Sequence, residues 1–339
     1  MFKQRRKKIT AIMHVGALLV TDKSDLFYLT GLDLDGYWML LTDKKTFIIT
    51  SEMLTNQIGK LLPEIRIVSS NNFVDALNTL KLRNIGLNFA KVNQQILAKI
   101  NKKIKTKDTG DLLASLRLIK DDVEIRDIKS SCAIASKVFN KVKKLVKPGK
   151  TEMEIAFKIE EYFAKYSVRP SFTPIVASGP NTASPHHISS TRKLRPNDTV
   201  MIDMGCVYKG YCSDLTRTFF LGKITNSQNS LYYVLKKAQN QAIKRVKEDI
   251  QIGVIDSCAR GIISDAGFGK NFVHSTGHGV GIDVHEEPKV NKANKGYLKA
   301  GMVITIEPGV YLPDKFGIRI EDTILVTKKG CKNLTDSAR

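Results

Sequence analysis

Val200-Met201-Ile202-Asp203-Met204-Gly205, followed across the turn Lys209-Gly210 by Ser213-Asp214-Leu215-Thr216-Arg217-Thr218, sets the architecture of this chain. Both halves read as strands that want to be buried, and each carries one acid. Paired across that turn, they set Asp203 and Asp214 facing each other over a sheet. Two carboxylates that close repel unless a cation lies between them. The pattern recurs at Ile304-Thr305-Ile306-Glu307-Pro308-Gly309 and Gly317-Ile318-Arg319-Ile320-Glu321-Asp322, where Glu307 and Glu321 interrupt apolar strands. Period-two alternation puts Arg319 on the face of Glu321. Each acid alone has an ordinary reading, as a buried carboxylate paired to a base or capping a turn. Four acids in two hairpins are hard to explain that way.

Outward from the hairpins, the C-terminal two thirds reads as α+β with an antiparallel sheet. A long helix over 123–146 stops at Pro148-Gly149, and Thr151 with Glu154 forms a capping box that starts a second helix running to about 166. Helices follow over 228–246 and after Asp256. The first 110 or so residues alternate strands (17–21, 38–42, 46–50, 65–69, 84–88) with helices (52–62, 73–82, 93–104), the mark of a smaller α/β domain. The spacing predicts two domains, 1–115 and 116–339. The only tryptophan, Trp38, lies beside Tyr37 after the Gly31–Gly36 loop, and reads either as core packing or as an aromatic screening a partner's site.

The formal charge is +21. Residues 1–120 carry 20 Lys/Arg against 10 Asp/Glu and the rest 34 against 23, so the excess is spread along the chain. That is the pattern of a solvated lysine-rich surface, and specific nucleic-acid binding is not expected. Five cysteines, Cys132, Cys206, Cys212, Cys258 and Cys331, lack paired spacing and fit reduced thiols in a cytoplasm. No apolar run is long enough to span a membrane. The basic start followed by an apolar run only faintly mimics a signal peptide, because His14 and Gly16 interrupt it.

Of six histidines, five (His186, His187, His274, His278, His285) lie among the acids. Four carboxylates and an imidazole make an oxygen-rich ligand set, suited to a binuclear site of Mn²⁺, Co²⁺, Zn²⁺ or Fe²⁺ rather than a structural zinc. Two such ions can activate a bridging water and polarise a carbonyl together. No HExxH helix is present, which excludes the common zinc-protease solution.

Segments 201–205, 211–219, 274–288, 305–311 and 317–323 resemble the five metal-site motifs of the pita-bread metallopeptidases, and within them the aminopeptidase P and prolidase (Xaa-Pro dipeptidase) group. The order Asp203, Asp214, His278, Glu307, Glu321 is complete, with spacings of 11, 64, 29 and 14. Residues 15–110, notably Asp25-Leu26-Phe27-Tyr28-Leu29-Thr30-Gly31, are similar to the creatinase-type N-terminal domain. The resemblance implies a pita-bread catalytic domain holding two divalent ions per chain, Mn²⁺ or Co²⁺ first. It implies an exopeptidase that cuts the bond before proline in di- or oligopeptides with a hydroxide held between the metals. Asp203 and His278 would each bind one ion, Asp214 and Glu321 would bridge, and Glu307 would bind and shuttle a proton. His186 and His285 would stabilise the developing oxyanion, His274 would shape the pocket, and Arg319 would fix the carboxylates. Lys289 stands where prolidase-like members often carry an arginine for the substrate carboxylate. His187 has no clear counterpart. Such enzymes often form homodimers, and one is expected here.

Methionine aminopeptidase shares these ligand types, but its glutamates usually lie further apart and a large N-terminal domain is normally absent. A non-enzymatic pita-bread protein using its basic surface would not need the five ligands.

Overall fold

The computed structural model describes residues 1–338 and divides into two compact units, Met1–Arg117 and Leu118–Arg339. In the first, six strands form one mixed sheet in the order Arg66–Ser69, Thr46–Thr50, Tyr37–Thr42, Ala17–Val20, Asn84–Leu87, Lys105–Asp108. Its apolar face buries Leu19, Leu40, Ile49, Ile85 and Leu87 against Leu77, Leu97 and Ile100. Trp38 sits in the strand Tyr37–Thr42, and its ring meets Phe73 edge-on at 4.9 Å, so it is part of this packing.

Several elements of this unit differ from the sequence reading, among them the helix Lys23–Thr30, which that reading does not include. The helix expected over 93–104 ends at Asn101, and Lys105–Asp108 forms the sheet's edge strand. Its Lys-Thr-Lys-Asp sequence has no hydrophobic period, and charged residues are what protect an open edge from pairing with another chain. The basic start is the helix Phe2–Ile12, in which Arg5 and Arg6 are buried. Arg6 donates to the Leu29 carbonyl (2.9 Å) and to Glu64 (2.7 Å), while Arg5 lies over the Tyr28 ring at 4.2 Å.

Among the described residues of the second unit every ladder is antiparallel. The capping boxes at Asp121 and Thr151 start the helices Asp122–Val142 and Glu152–Lys165, whose apolar stripes cover the sheet of Ile175–Ser178, Thr199–Met204 and Leu215–Phe220. The helices Asn226–Lys244 and Ile252–Asp265 do the same for the five-stranded sheet containing Val303–Ile306 and Asp322–Thr327.

Each acidic hairpin has one register interrupted at the acids. Thr199–Met204 pairs with Leu215–Phe220 so that Thr216 lies opposite Asp203, which corrects the expectation that Asp214 would do so. Beyond the break the same register resumes between Cys206–Tyr208 and Tyr211–Cys212, which leaves Asp214 opposite Gly205. In the second hairpin Ile306 pairs with Asp322 and Gly309 with Arg319, so Glu307 and Glu321 face each other across the gap between two ladders. The backbone groups freed at the gaps stitch the hairpins together. Glu321 N donates to Thr216 O (3.1 Å), Glu307 N to Thr276 O (2.8 Å), and Thr323 Oγ1 to Asp214 O (2.7 Å).

Gly205 is the tightest point of the first break: a Cβ there would stand 1.9 Å from Ser213 O and 2.4 Å from Ser171 Oγ. Gly205→Ala is expected to destabilise the fold by about 1–3 kcal/mol, the usual cost of overpacking, read as a lower denaturation midpoint. An unchanged midpoint would mean the break is slack.

Candidate metal centre

Three acids at the interruptions, Asp203 in its strand and His278 in the strand Gly277–Gly279 are brought to a single place. Asp214, His278 and Glu321 offer ligand atoms all within 4.8 Å of one another. His278 Nε2 lies 3.3 Å from Glu307 Oε1 and 3.6 Å from Asp214 Oδ2. Asp203 is tied to the group through Arg319, whose Nη2 donates to Oδ2 at 2.5 Å.

Two observations test whether these residues suit a cation. First, Asp203 Oδ1, Asp214 Oδ1 and Glu321 Oε1 are buried with no hydrogen-bond donor among the described residues. Buried carboxylate oxygens are costly unless paired or bound to metal. Second, His278 Nδ1 bonds to the Gly279 carbonyl at 3.0 Å and therefore carries the ring's hydrogen. Its Nε2 lone pair then points at two carboxylates, an arrangement that a shared cation makes favourable. The donor set of hard oxygens with one imidazole fits a divalent ion.

The electrostatics agree. Burial first, and then the neighbouring acids, push Asp214 and Glu321 well above the usual carboxylate range, and burial raises Glu307 as well. Burial lowers His278, so it does not neutralise the acids by taking a proton.

The surrounding side chains hold the acids in place. Thr216 Oγ1 donates to Glu321 Oε2 at 2.8 Å, and Thr305 Oγ1 to Glu307 Oε1 at 3.2 Å. Arg319 is buried and donates to Asp203, to Thr216 Oγ1 (3.1 Å), to Tyr311 Oη (2.7 Å) and to the Pro185 carbonyl (3.1 Å). His274 Nδ1 bonds to Ser275 O (2.8 Å), leaving Nε2 to accept from Tyr311 Oη (3.0 Å). Asp322, next to Glu321 in sequence, is occupied elsewhere by Arg217, Gln239 and Thr335. The sequence reading does not single out Thr216, Thr305 or Tyr311. The two threonines stand two residues from Asp214 and Glu307, so strand alternation signals them; Tyr311 has no such signal.

The ring of His285 lies 4.3 Å from that of His278. His186 is exposed, directly after the Pro185 carbonyl that Arg319 grips. Lys289 is exposed on the strand Glu286–Val290 and is not gathered with the others. His187 turns to Glu152, with Nε2 2.8 Å from Oε2.

The model of metallopeptidase family M24 matches residues 126–328, and that of the creatinase/prolidase N-terminal domain matches residues 5–119. The chain belongs to metallopeptidase family M24. It is 35% identical to a Xaa-Pro dipeptidase of Pyrococcus horikoshii, over 99% of this chain and 98% of that one. The solved Xaa-Pro dipeptidase of Bacillus anthracis superimposes with a TM-score of 0.95 at 29% identity, covering 99% and 98% of the two chains. An X-Pro aminopeptidase from Thermotoga maritima gives 0.88 at 30% identity, covering 97% of each. The resemblance drawn from the five segments is borne out, as are the pita-bread α+β fold and the metal-dependent peptidase class. M24 membership implies binding of divalent metal.

A carboxylate whose pKa is raised by folding stabilises the fold through its bound proton. That stabilisation is complete below the unfolded value of about 4 and is lost as pH rises through the raised value. The metal-free metallopeptidase should therefore lose Tm as pH rises from the ordinary carboxylate range of about 4 towards neutrality. Asp214→Asn should flatten that loss and also abolish the rise in Tm that divalent metal produces in the wild type. A wild-type Tm indifferent to metal across that range would contradict the site.

Proposed function

We propose that this M24 metallopeptidase hydrolyses the bond before proline in short peptides, with Xaa-Pro dipeptides as the first substrates and longer Xaa-Pro peptides as the alternative. The observation that carries the metal site is the set of buried carboxylate oxygens without donors around the His278 lone pair. The proline preference rests on the full-length likeness to a Xaa-Pro dipeptidase, and the alternative on the likeness to an X-Pro aminopeptidase. We assign two divalent ions, Mn²⁺ or Co²⁺ before Zn²⁺ or Fe²⁺, to Asp203, Asp214, His278, Glu307 and Glu321. Held there, such ions would supply Lewis-acid chemistry, lowering the pKa of a water and polarising the scissile carbonyl.

The chain's own groups do the rest. Glu307, held by Thr305, takes a proton from the attacking water and returns it to the departing proline nitrogen. The proline nitrogen, like any amide nitrogen, leaves only after gaining that proton. His186 and His285 donate to the carbonyl oxygen as negative charge builds on it. His274, neutral and fixed by Tyr311, walls the pocket. Arg319 keeps Asp203 oriented. Lys289 supplies charge for a substrate carboxylate without the planar fork of arginine.

We place the protein in the cytoplasm, where its five free cysteines would stay reduced, and as a homodimer, which the family resemblance supports. Among the described residues no helix is long and apolar enough to cross a membrane. The dispersed basic surface is assigned to solvation, with duplex DNA binding expected to vanish at moderate salt.

Hydrolysis of Xaa-Pro and Xaa-Pro-Yaa peptides by apo protein supplied with Mn²⁺, Co²⁺ or Zn²⁺ tests the reading. His285→Ala and His186→Ala should retain metal and lose about 10²–10³ in kcat, the scale of an oxyanion donor, whereas His278→Ala should lose metal too. Turnover that persists in chelator, with no bound metal, would end the hydrolase assignment.

A further inference from the structure

Glu152 is the first residue of the helix Glu152–Lys165, and it is fully buried. The capping box at this helix end uses Thr151 and Glu154, so the cap does not need it. Its carboxylate gathers one segment of chain instead. Oε1 accepts from Ser178 N (2.7 Å), Ser178 Oγ (2.7 Å) and Asn181 Nδ2 (3.0 Å). Oε2 accepts from Ser190 N (3.0 Å) and Ser190 Oγ (2.7 Å), and lies 2.8 Å from His187 Nε2. Both ends and the middle of residues 178–190 thus converge on a single side chain. Burial works to raise its pKa, but the Ser190, Ser178, His187 and Asn181 donors outweigh it and hold the carboxyl below its usual range.

The other side of the same segment is fastened to the metal centre. Arg319 Nη1 donates to Pro185 O at 3.1 Å, and the same guanidinium holds Asp203. Gly317 N donates to Thr182 Oγ1 at 2.9 Å, with Thr182 O so near that a Cβ on Gly317 would stand 2.2 Å from it. His186 lies between Pro185, held by Arg319, and His187, held by Glu152. Its ring is exposed, so its position is set through its backbone rather than by enclosure.

We propose that Glu152 is a positioning residue for peptide hydrolysis, fixing His186 against the metal centre by holding residues 178–190 through Ser178, Asn181, His187 and Ser190. The proposal rests on the reading that His186 contacts the substrate. A buried anion satisfied by one segment orders that segment strongly, because any displaced donor leaves the charge unpaired. Glu152→Gln keeps the shape but replaces one acceptor oxygen with an NH₂ that faces donors.

The experiment is a double-mutant cycle of Glu152→Gln and His186→Ala in the full chain loaded with Mn²⁺, with Ala-Pro as substrate and metal content measured alongside. Glu152→Gln alone should lower kcat by about 10–100-fold, the scale of a displaced reacting group, with two metals retained. In the His186→Ala background the same change should cost less than about threefold, since coupled residues are not additive. Equal losses in both backgrounds, or a loss that tracks metal content, would make Glu152 merely structural and overturn the proposal. An unchanged kcat in Glu152→Gln would do so as well. If His186→Ala itself leaves kcat intact, the assignment of His186 fails, and this proposal with it, while the metal-dependent hydrolase reading stands. Should Glu152→Gln not fold, His187→Gln and Ser190→Ala enter the same cycle with the same expected coupling.

Discussion

Mutual repulsion among Asp203, Asp214, Glu307 and Glu321 is the constraint around which the second unit is built. Three of these acids keep a buried oxygen without a donor, and the nearby imidazole offers a lone pair rather than a proton. Arg319 offsets part of that concentration of charge through its direct bond to Asp203. The fold holds the acids together through the rest of its structure, and a divalent cation bound among them would recover the electrostatic cost. Stability and metal affinity are therefore two aspects of one arrangement.

Hairpin interruption is how the backbone reaches that arrangement. An unbroken antiparallel ladder would place the acids in one flat row, each opposite a single cross-strand neighbour. Breaking both ladders, at Gly205 with Asp214 and at Glu307 with Glu321, frees backbone donors that then bond between the hairpins. Glu321 N on Thr216 O and Thr323 Oγ1 on Asp214 O join hairpins more than a hundred residues apart in sequence. The site is consequently carried on strands and the short breaks between them, which suits a chemistry that depends on short, fixed distances.

A second buried carboxylate, Glu152, shows the opposite solution. Hydroxyl, amide and imidazole groups of one segment satisfy both of its oxygens. In the first unit Asp25 is handled differently again, by Arg117 at 2.8 Å and Lys91 at 2.9 Å. The three cases separate a ligand from a structural acid by what faces it: unfilled oxygens around the metal centre, donors around Glu152, and fixed cations around Asp25.

Residue types and their order are legible in the chain without any coordinates. Apolar strands interrupted by acids and the capping boxes are local facts, because periodicity and capping act within a few residues, and the order of Asp203, Asp214, His278, Glu307 and Glu321 is read directly from the chain. Most elements of the first unit are legible in the same way. The edge strand Lys105–Asp108 and the helices Phe2–Ile12 and Lys23–Thr30 are not, since none of them carries a clear hydrophobic period. Thr216 rather than Asp214 faces Asp203 because the two-residue turn Lys209-Gly210 sets one register that holds on both sides of the break. Packing, by contrast, joins Arg319 to Tyr311, Asp203 and Pro185, and it brings Glu152 to His187 behind the segment that carries His186. Most of these pairings span dozens to more than a hundred residues, and no spacing rule acts at that range; they follow from how whole sheets and helices pack.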